Sequence, residues 1–242
     1  MELFYGKPTR YSFEEVLDQY SPKELNSIYT STVPFLNYWK TTDEAVRSLR
    51  EALDLPSPPT TLAFECPTPS AGRNKSSMTD LMIWGNGWKV AIEAKYKEVG
   101  KKYETVGEWN AERTANKSKV AAHWLELIAP YSEAKLDEKH VSSVPNQFVH
   151  RTASACHENP KTAYVVYQIF YDSSSQSKMK QFIDNLRQSV RVLSPKQNLR
   201  FAVNTIETAW EELTVSEDKV LQELKQRNIC TFGPSDWQWL DR

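Results

Sequence analysis

The chain has 242 residues with 30 Lys+Arg against 31 Asp+Glu, a formal net charge of −1, 40% hydrophobic and 12% aromatic residues. That profile excludes a disordered chain and a polycation, and a chain of this length buries about 70–75% of its unfolded surface without staples. Its seven scattered glycines build no G-x-G-x-x-G, no G-x-x-x-x-G-K-[ST] and no G-x-S-x-G, which argues against dinucleotide, P-loop and α/β-hydrolase chemistry. Cys66, Cys156 and Cys230 stand far apart and, with four scattered histidines, give no zinc spacing. No apolar run approaches a membrane span, and MELFYGKPTRYSFEEV lacks the apolar core of a signal peptide. A protein of the reducing cytoplasm, without membrane contact, is expected.

The first 55 residues read as helical. Ser12-Phe13-Glu14-Glu15 is a capping box opening a helix over 13–20, and Thr42 caps a second over 43–55, with Ala45, Leu49, Ala52 and Leu53 as its apolar stripe. The Pro-rich segment 56–59 ends it. Strands follow at 61–65, 79–84 and 88–96, the last two joined through Gly85-Asn86-Gly87. Helical periodicity returns over 117–131, then a polar loop, then a helix over 145–158. An apolar strand at 163–171, a helix from the serine-rich loop 173–177 to about 192, a strand at 199–204 and a last helix over 216–227 complete the pattern. This order predicts a mixed sheet flanked by helices. The expected division is a helical N-terminal extension (1–59) and an α/β core (60–242).

Glu93 and Lys95 are two apart on a Val/Ile/Ala strand, so they project from one face while Ala94 points away. Charges there are costly to bury without a partner, and metal and phosphate would supply one. Asn86-Gly87 favours a two-residue type I′ hairpin, which sets a register of i + j = 173. Asp80 then falls opposite Glu93 on the same face, with Cα atoms ~4.5–5.5 Å apart. A three-residue Gly85-Asn86-Gly87 loop would shift the register and turn Asp80 away. Two carboxylates beside a lysine outline a divalent-metal phosphodiester site.

Asp80, twelve intervening residues and Glu93-Ala94-Lys95 resemble the motif of the PD-(D/E)XK nuclease superfamily, of restriction-endonuclease-like fold, with Thr79 replacing the proline that names it. The segments 105–109 (TVGEW) and 146–154 (NQFVHRTAS) are similar to those of a bacterial branch of that superfamily, extending the resemblance over about residues 60–190. The resemblance implies a restriction-endonuclease-like α/β sheet, Asp80 and Glu93 as Mg²⁺ ligands (Mn²⁺ as substitute), and Lys95 acting on the attacking water. Glu65, at the end of the first core strand, is a candidate third ligand.

Gln147, His150, Arg151 and Ser154 share one stripe of the 145–158 helix, with Phe148, Thr152 and Ala155 opposite. Gln147 and His150 are candidate catalytic groups, and Arg151 a phosphate contact; a solvated polar face is the competing expectation. Arg73 and Lys75 before Asp80, and Lys97, Lys101 and Lys102 after Lys95, are candidate nucleic-acid contacts in an otherwise neutral chain. Trp237 and Trp239 read as a packing latch or a partner contact. The expected function is Mg²⁺-dependent endonucleolytic cleavage of DNA, in defence against foreign DNA, by a protein for which a homodimer is compatible. The alternatives are a non-catalytic nucleic-acid-binding or interaction module and an RNA-directed nuclease.

Overall fold

Two strands, β1 (Glu2–Tyr5) and β2 (Lys7–Arg10), precede the first helix, where sequence periodicity predicts helix alone. The computed structural model describes residues 1–25, 30–71, 76–111, 114–210 and 219–241. Helix α1 (Phe13–Leu17) begins at the expected capping box, with the Ser12 and Glu15 side chains each bonding the other's backbone amide. Helices α2 (Pro22–Leu25), α3 (Thr32–Trp39) and α4 (Thr42–Leu53) follow. Helix α4 buries Ala45, Val46, Leu49 and Leu53; its cap is Thr41 rather than Thr42, whose hydroxyl instead donates to the Trp39 carbonyl.

Strands β3 (Pro59–Thr68), β4 (Ser77–Gly85) and β5 (Trp88–Lys95) form an antiparallel meander. The chain then runs through α5 (Val106–Trp109), α6 (Ala115–Ile128) and α7 (Asn146–Cys156) into β6 (Thr162–Tyr171), which lies parallel to β5. Helix α8 (Gln176–Leu193) crosses to β7 (Leu199–Trp210), parallel to β6. Helix α9 (Val220–Gln226) leads to β8 (Cys230–Trp239), antiparallel to β7. The result is one mixed eight-stranded sheet of order β2-β1-β3-β4-β5-β6-β7-β8 flanked by helices, an α/β fold.

The period-2 alternation of the strands divides the core in two. Leu81, Ile83, Val90, Ile92 and Phe170 lie under α1–α4 and α9, whereas Met82, Ala91, Val165, Tyr167 and Val203 lie under α6, α7 and α8. Trp39 Nε1 donates to Gln168 Oε1 at 2.9 Å in the first layer, tying α3 to the centre of the sheet. Trp237 and Trp239 belong to β8: Trp237 Nε1 donates to Ser48 of α4, and Trp239 carries Arg200 over its ring at 4.1 Å. No helix among the described residues is long and apolar enough to cross a membrane.

Candidate active site

The β4–β5 hairpin has the two-residue loop and the i + j = 173 register expected from the sequence: Gly85 pairs with Trp88, Ile83 with Val90 and Leu81 with Ile92. The turn type differs. Only Gly87 has positive φ (81°), while Asn86 does not; type I′ requires positive φ at both, and a single glycine near +80° at the second position is the type II pattern. The loop length, not the turn type, sets the register.

Continued beyond Leu81, that register would pair Thr79 with Ala94. The paired ladder stops there instead, and Asp80 Oδ2 accepts the Ala94 amide at 2.7 Å. The two strands part at Asp80, and its carboxylate takes a bond that a backbone carbonyl would otherwise make. On the other side of β4, Phe64 pairs with Leu81 and Cys66 with Thr79, so Glu65 flanks Asp80 in register from β3. Glu65 holds a left-handed backbone (φ 45°) within a strand, a conformation that costs a non-glycine residue about 1–3 kcal/mol and is retained only where the surroundings impose it.

Glu93 and Lys95 project toward α7, on the face of Ala91, as period 2 requires. Both are almost fully buried, 3% and 5% exposed. Lys95 Nζ donates to Glu93 Oε1 at 2.7 Å and stands 5.7 Å from the centre of the Tyr103 ring. From α7, Gln147 Nε2 donates to Glu93 Oε1 at 2.5 Å, and one turn later the Arg151 guanidinium pairs with Glu93 Oε2. Arg151 Nη1 also donates to Thr79 Oγ1 at 2.5 Å, so it bridges β4 and β5.

The electrostatics follow from this packing. Burial alone would raise the Glu93 carboxyl, but the Arg151 charge and then Lys95 outweigh it and hold Glu93 well below the usual carboxylate range. Burial, then the Glu93 charge, push Asp80 up, against Arg151, Lys95 and the Ala94 amide. Glu65 is pushed up to about 8, by burial first and then by Asp80 and Glu24. Three acids thus share two cations, and Asp80 and Glu65, short of a cation, hold their protons more tightly than usual.

The stripe of α7 divides differently from expectation. Gln147 and Arg151 reach Glu93, whereas the His150 ring leans on Trp124 at 5.2 Å between centroids and its Nδ1 lies 2.8 Å from Ser77 Oγ. Burial, then Arg151, push His150 down to about 3, so it is neutral at ordinary pH. Ser154 returns its hydroxyl to the His150 carbonyl. Arg151 is 2% exposed and faces Glu93 rather than the surface. Of the basic residues after the motif, Lys97 pairs with Asp172 and Lys102 bonds Glu108 at 2.5 Å, while Lys101 is exposed. Arg73 and Lys75 lie outside the described residues.

Nothing in the spacing of the sequence marks Thr79, Ser77 and Tyr103 as partners. A hydroxyl next to Asp80 was the one available signal for Thr79; Ser77 and Tyr103 carry none, because their partners lie on distant elements. Among the described residues no three His, Cys, Asp or Glu form a group that could hold a metal ion. The donor set nonetheless has the hard-oxygen chemistry of Mg²⁺, which needs only one or two carboxylates and keeps its own waters. A divalent ion would offset the burial and the mutual repulsion that push Asp80 and Glu65 up.

No curated protein and no solved structure matches the chain. One family model does, over residues 12–211, a span that runs from the capping box of α1 to just past the end of β7 and includes every residue of the site. The chain belongs to the family described as Domain of unknown function (DUF6946).

Proposed function

We propose that the protein is a metal-dependent nuclease hydrolysing DNA phosphodiester bonds on a restriction-endonuclease-like core. The observation that carries this reading is Asp80 and Glu93 on neighbouring strands that part at Asp80, with the Asp80 carboxylate on the Ala94 amide and Lys95 buried against Glu93. The antiparallel meander β3–β5, followed by a helical crossover to the parallel strand β6, supports it. So does the resemblance of Asp80 and Glu93-Ala94-Lys95 to the PD-(D/E)XK motif.

Asp80 and Glu93 would hold Mg²⁺, which when bound supplies a Lewis acid and a water of lowered pKa. Lys95 keeps its ammonium charged beside Glu93, where it can stabilise charge developing on a phosphate oxygen. Gln147 and Arg151 orient the Glu93 carboxylate from α7. His150, neutral and bonded to Ser77, serves to fix the start of β4 against α7 rather than to carry a proton. Defence against foreign DNA is the biological role that this chemistry would suit.

A non-catalytic nucleic-acid-binding module is the second reading. It is favoured by the protein's own partners around Glu93, whose Oε1 takes Lys95 and Gln147 and whose Oε2 faces the Arg151 guanidinium. Plasmid cleavage in Mg²⁺ against EDTA separates the two. Lys95→Ala should lose about a hundredfold or more in rate while retaining Mn²⁺ binding by calorimetry, and Asp80→Asn should lose both. Equal rates for wild type and both variants would overturn the assignment; DNA binding without cleavage in any metal would favour the module.

A further inference from the structure

A groove of about 350 Å³ opens beside the site, between the segment that follows β5 and one flank of α8. Tyr103 belongs to both. Its ring lies 5.7 Å from Lys95 Nζ and packs tilted against Phe182 of α8, with centroids 5.3 Å apart. Leu186 continues the apolar wall, and Asn185 and Gln188, exposed at i and i+3 on α8, stand over it.

The rim is basic. Lys101 lines the groove and is exposed. Lys178 of α8 lies so close over Gly100 that a Cβ there would meet its Cδ at 2.7 Å, which adds a second cation at the same end. Lys102 is already matched by Glu108.

We propose that this groove seats one unpaired nucleotide of a single-stranded DNA substrate, next to the phosphate engaged at Asp80, Glu93 and Lys95. The proposal rests on the nuclease reading above and adds the substrate class to it. The volume lies at the small end of ligand sites, about 300–1,000 Å³, and admits a base and sugar but no base pair. The half-buried Tyr103 ring offers any base an aromatic contact, side-chain amides offer both donor and acceptor to a base edge, and the lysines meet the flanking phosphates. A duplex has its base edges paired and can use only the lysines.

Fluorescence anisotropy in EDTA tests this, with a short fluorescein-labelled oligodeoxythymidylate and a duplex of the same length as probes. Asn185 and Gln188 are exposed, so the double variant Asn185→Ala/Gln188→Ala should keep its thermal unfolding curve. It should bind the single strand about tenfold more weakly, as should Lys101→Glu, while duplex binding by the double variant stays unchanged. Wild type should prefer the single strand. Equal binding of the two probes by wild type, or wild-type single-strand affinity in both variants, overturns the groove. Cleavage in Mg²⁺ separates this failure from that of the nuclease reading. Duplex cutting at one rate by wild type and variants removes the groove and leaves the nuclease. Groove-dependent single-strand binding without cleavage removes the nuclease and leaves the groove.

Discussion

The guanidinium of Arg151 closes on the Glu93 carboxylate from the helix side while Lys95 closes on it from the strand side, all three side chains almost wholly out of water. One acid between two cations leaves a surplus positive charge beside Asp80 and Glu65, two acids of β4 and β3 that burial and mutual repulsion push up. The joint between α7 and the sheet is therefore ionic at its centre.

Removing one partner of a buried pair leaves the other charge uncompensated, which typically costs ~3–5 kcal/mol. Arg151→Met should destabilise the protein by about that amount in urea titration. The triple variant Lys95→Met/Glu93→Gln/Arg151→Met leaves none of the three buried charges and should recover a large part of the loss, whereas Glu93→Gln/Arg151→Met still strands Lys95. A triple variant no more stable than Arg151→Met would mean that the cost lies in packing and not in charge.

Glu65 binds its proton more tightly folded than unfolded: its ordinary value is 4.5, and in the fold it rises to about 8. Its contribution is therefore fully present below the ordinary value and is lost as pH rises toward the folded value. Glu65→Gln, which cannot ionise, should raise the melting temperature of the metal-free protein near pH 9, with little effect near pH 4. Melting curves for both proteins across that range give the difference, and a gain independent of pH would contradict the acidic cluster.

His150 shifts the other way, from 6.5 to about 3, because its burial disfavours the cation. The unfolded chain then binds more protons between those values, so stability falls as pH drops below the ordinary value. His150→Gln should flatten the acid limb of the stability curve measured by chemical denaturation at several pH values. An unchanged acid slope would show that His150 takes up its proton without opening the fold.

Gln168 is 2% exposed and accepts the Trp39 indole N–H. Gln168→Leu keeps the volume of the site but strands that donor, which should cost about 1–3 kcal/mol. Trp39→Phe in the same background should return part of it. Urea midpoints for the two single variants and the double variant measure the coupling, and strict additivity would exclude this bond as the link between α3 and β6.

Much of the site was legible in the chain because it is local. A two-residue loop at Asn86-Gly87 and the period of a strand are enough to carry the register as far as Leu81 and Ile92 and to put Lys95 on the face of Glu93, but the parting of the strands at Asp80 is not in that pattern. The α1 capping box and the buried stripe of α4 are local in the same sense. Other elements were decided by distant partners. β1 is four residues long and is held by parallel pairing with β3, Glu2 against Thr61; β8 mixes Gly, Pro, Ser and Asp with its tryptophans and is held by β7. Neither carries a pattern strong enough to announce a strand, because the bonds that make it one belong to its neighbour. The α7 stripe shows the limit most clearly. Periodicity groups Gln147, His150 and Arg151 on one side, but only the packing of that helix over β4 and β5 sends Gln147 and Arg151 to Glu93 and His150 to Ser77. The left-handed turn of Glu65 beside Asp80 has the same origin, since a strand residue adopts it only when tertiary contacts outweigh its local preference.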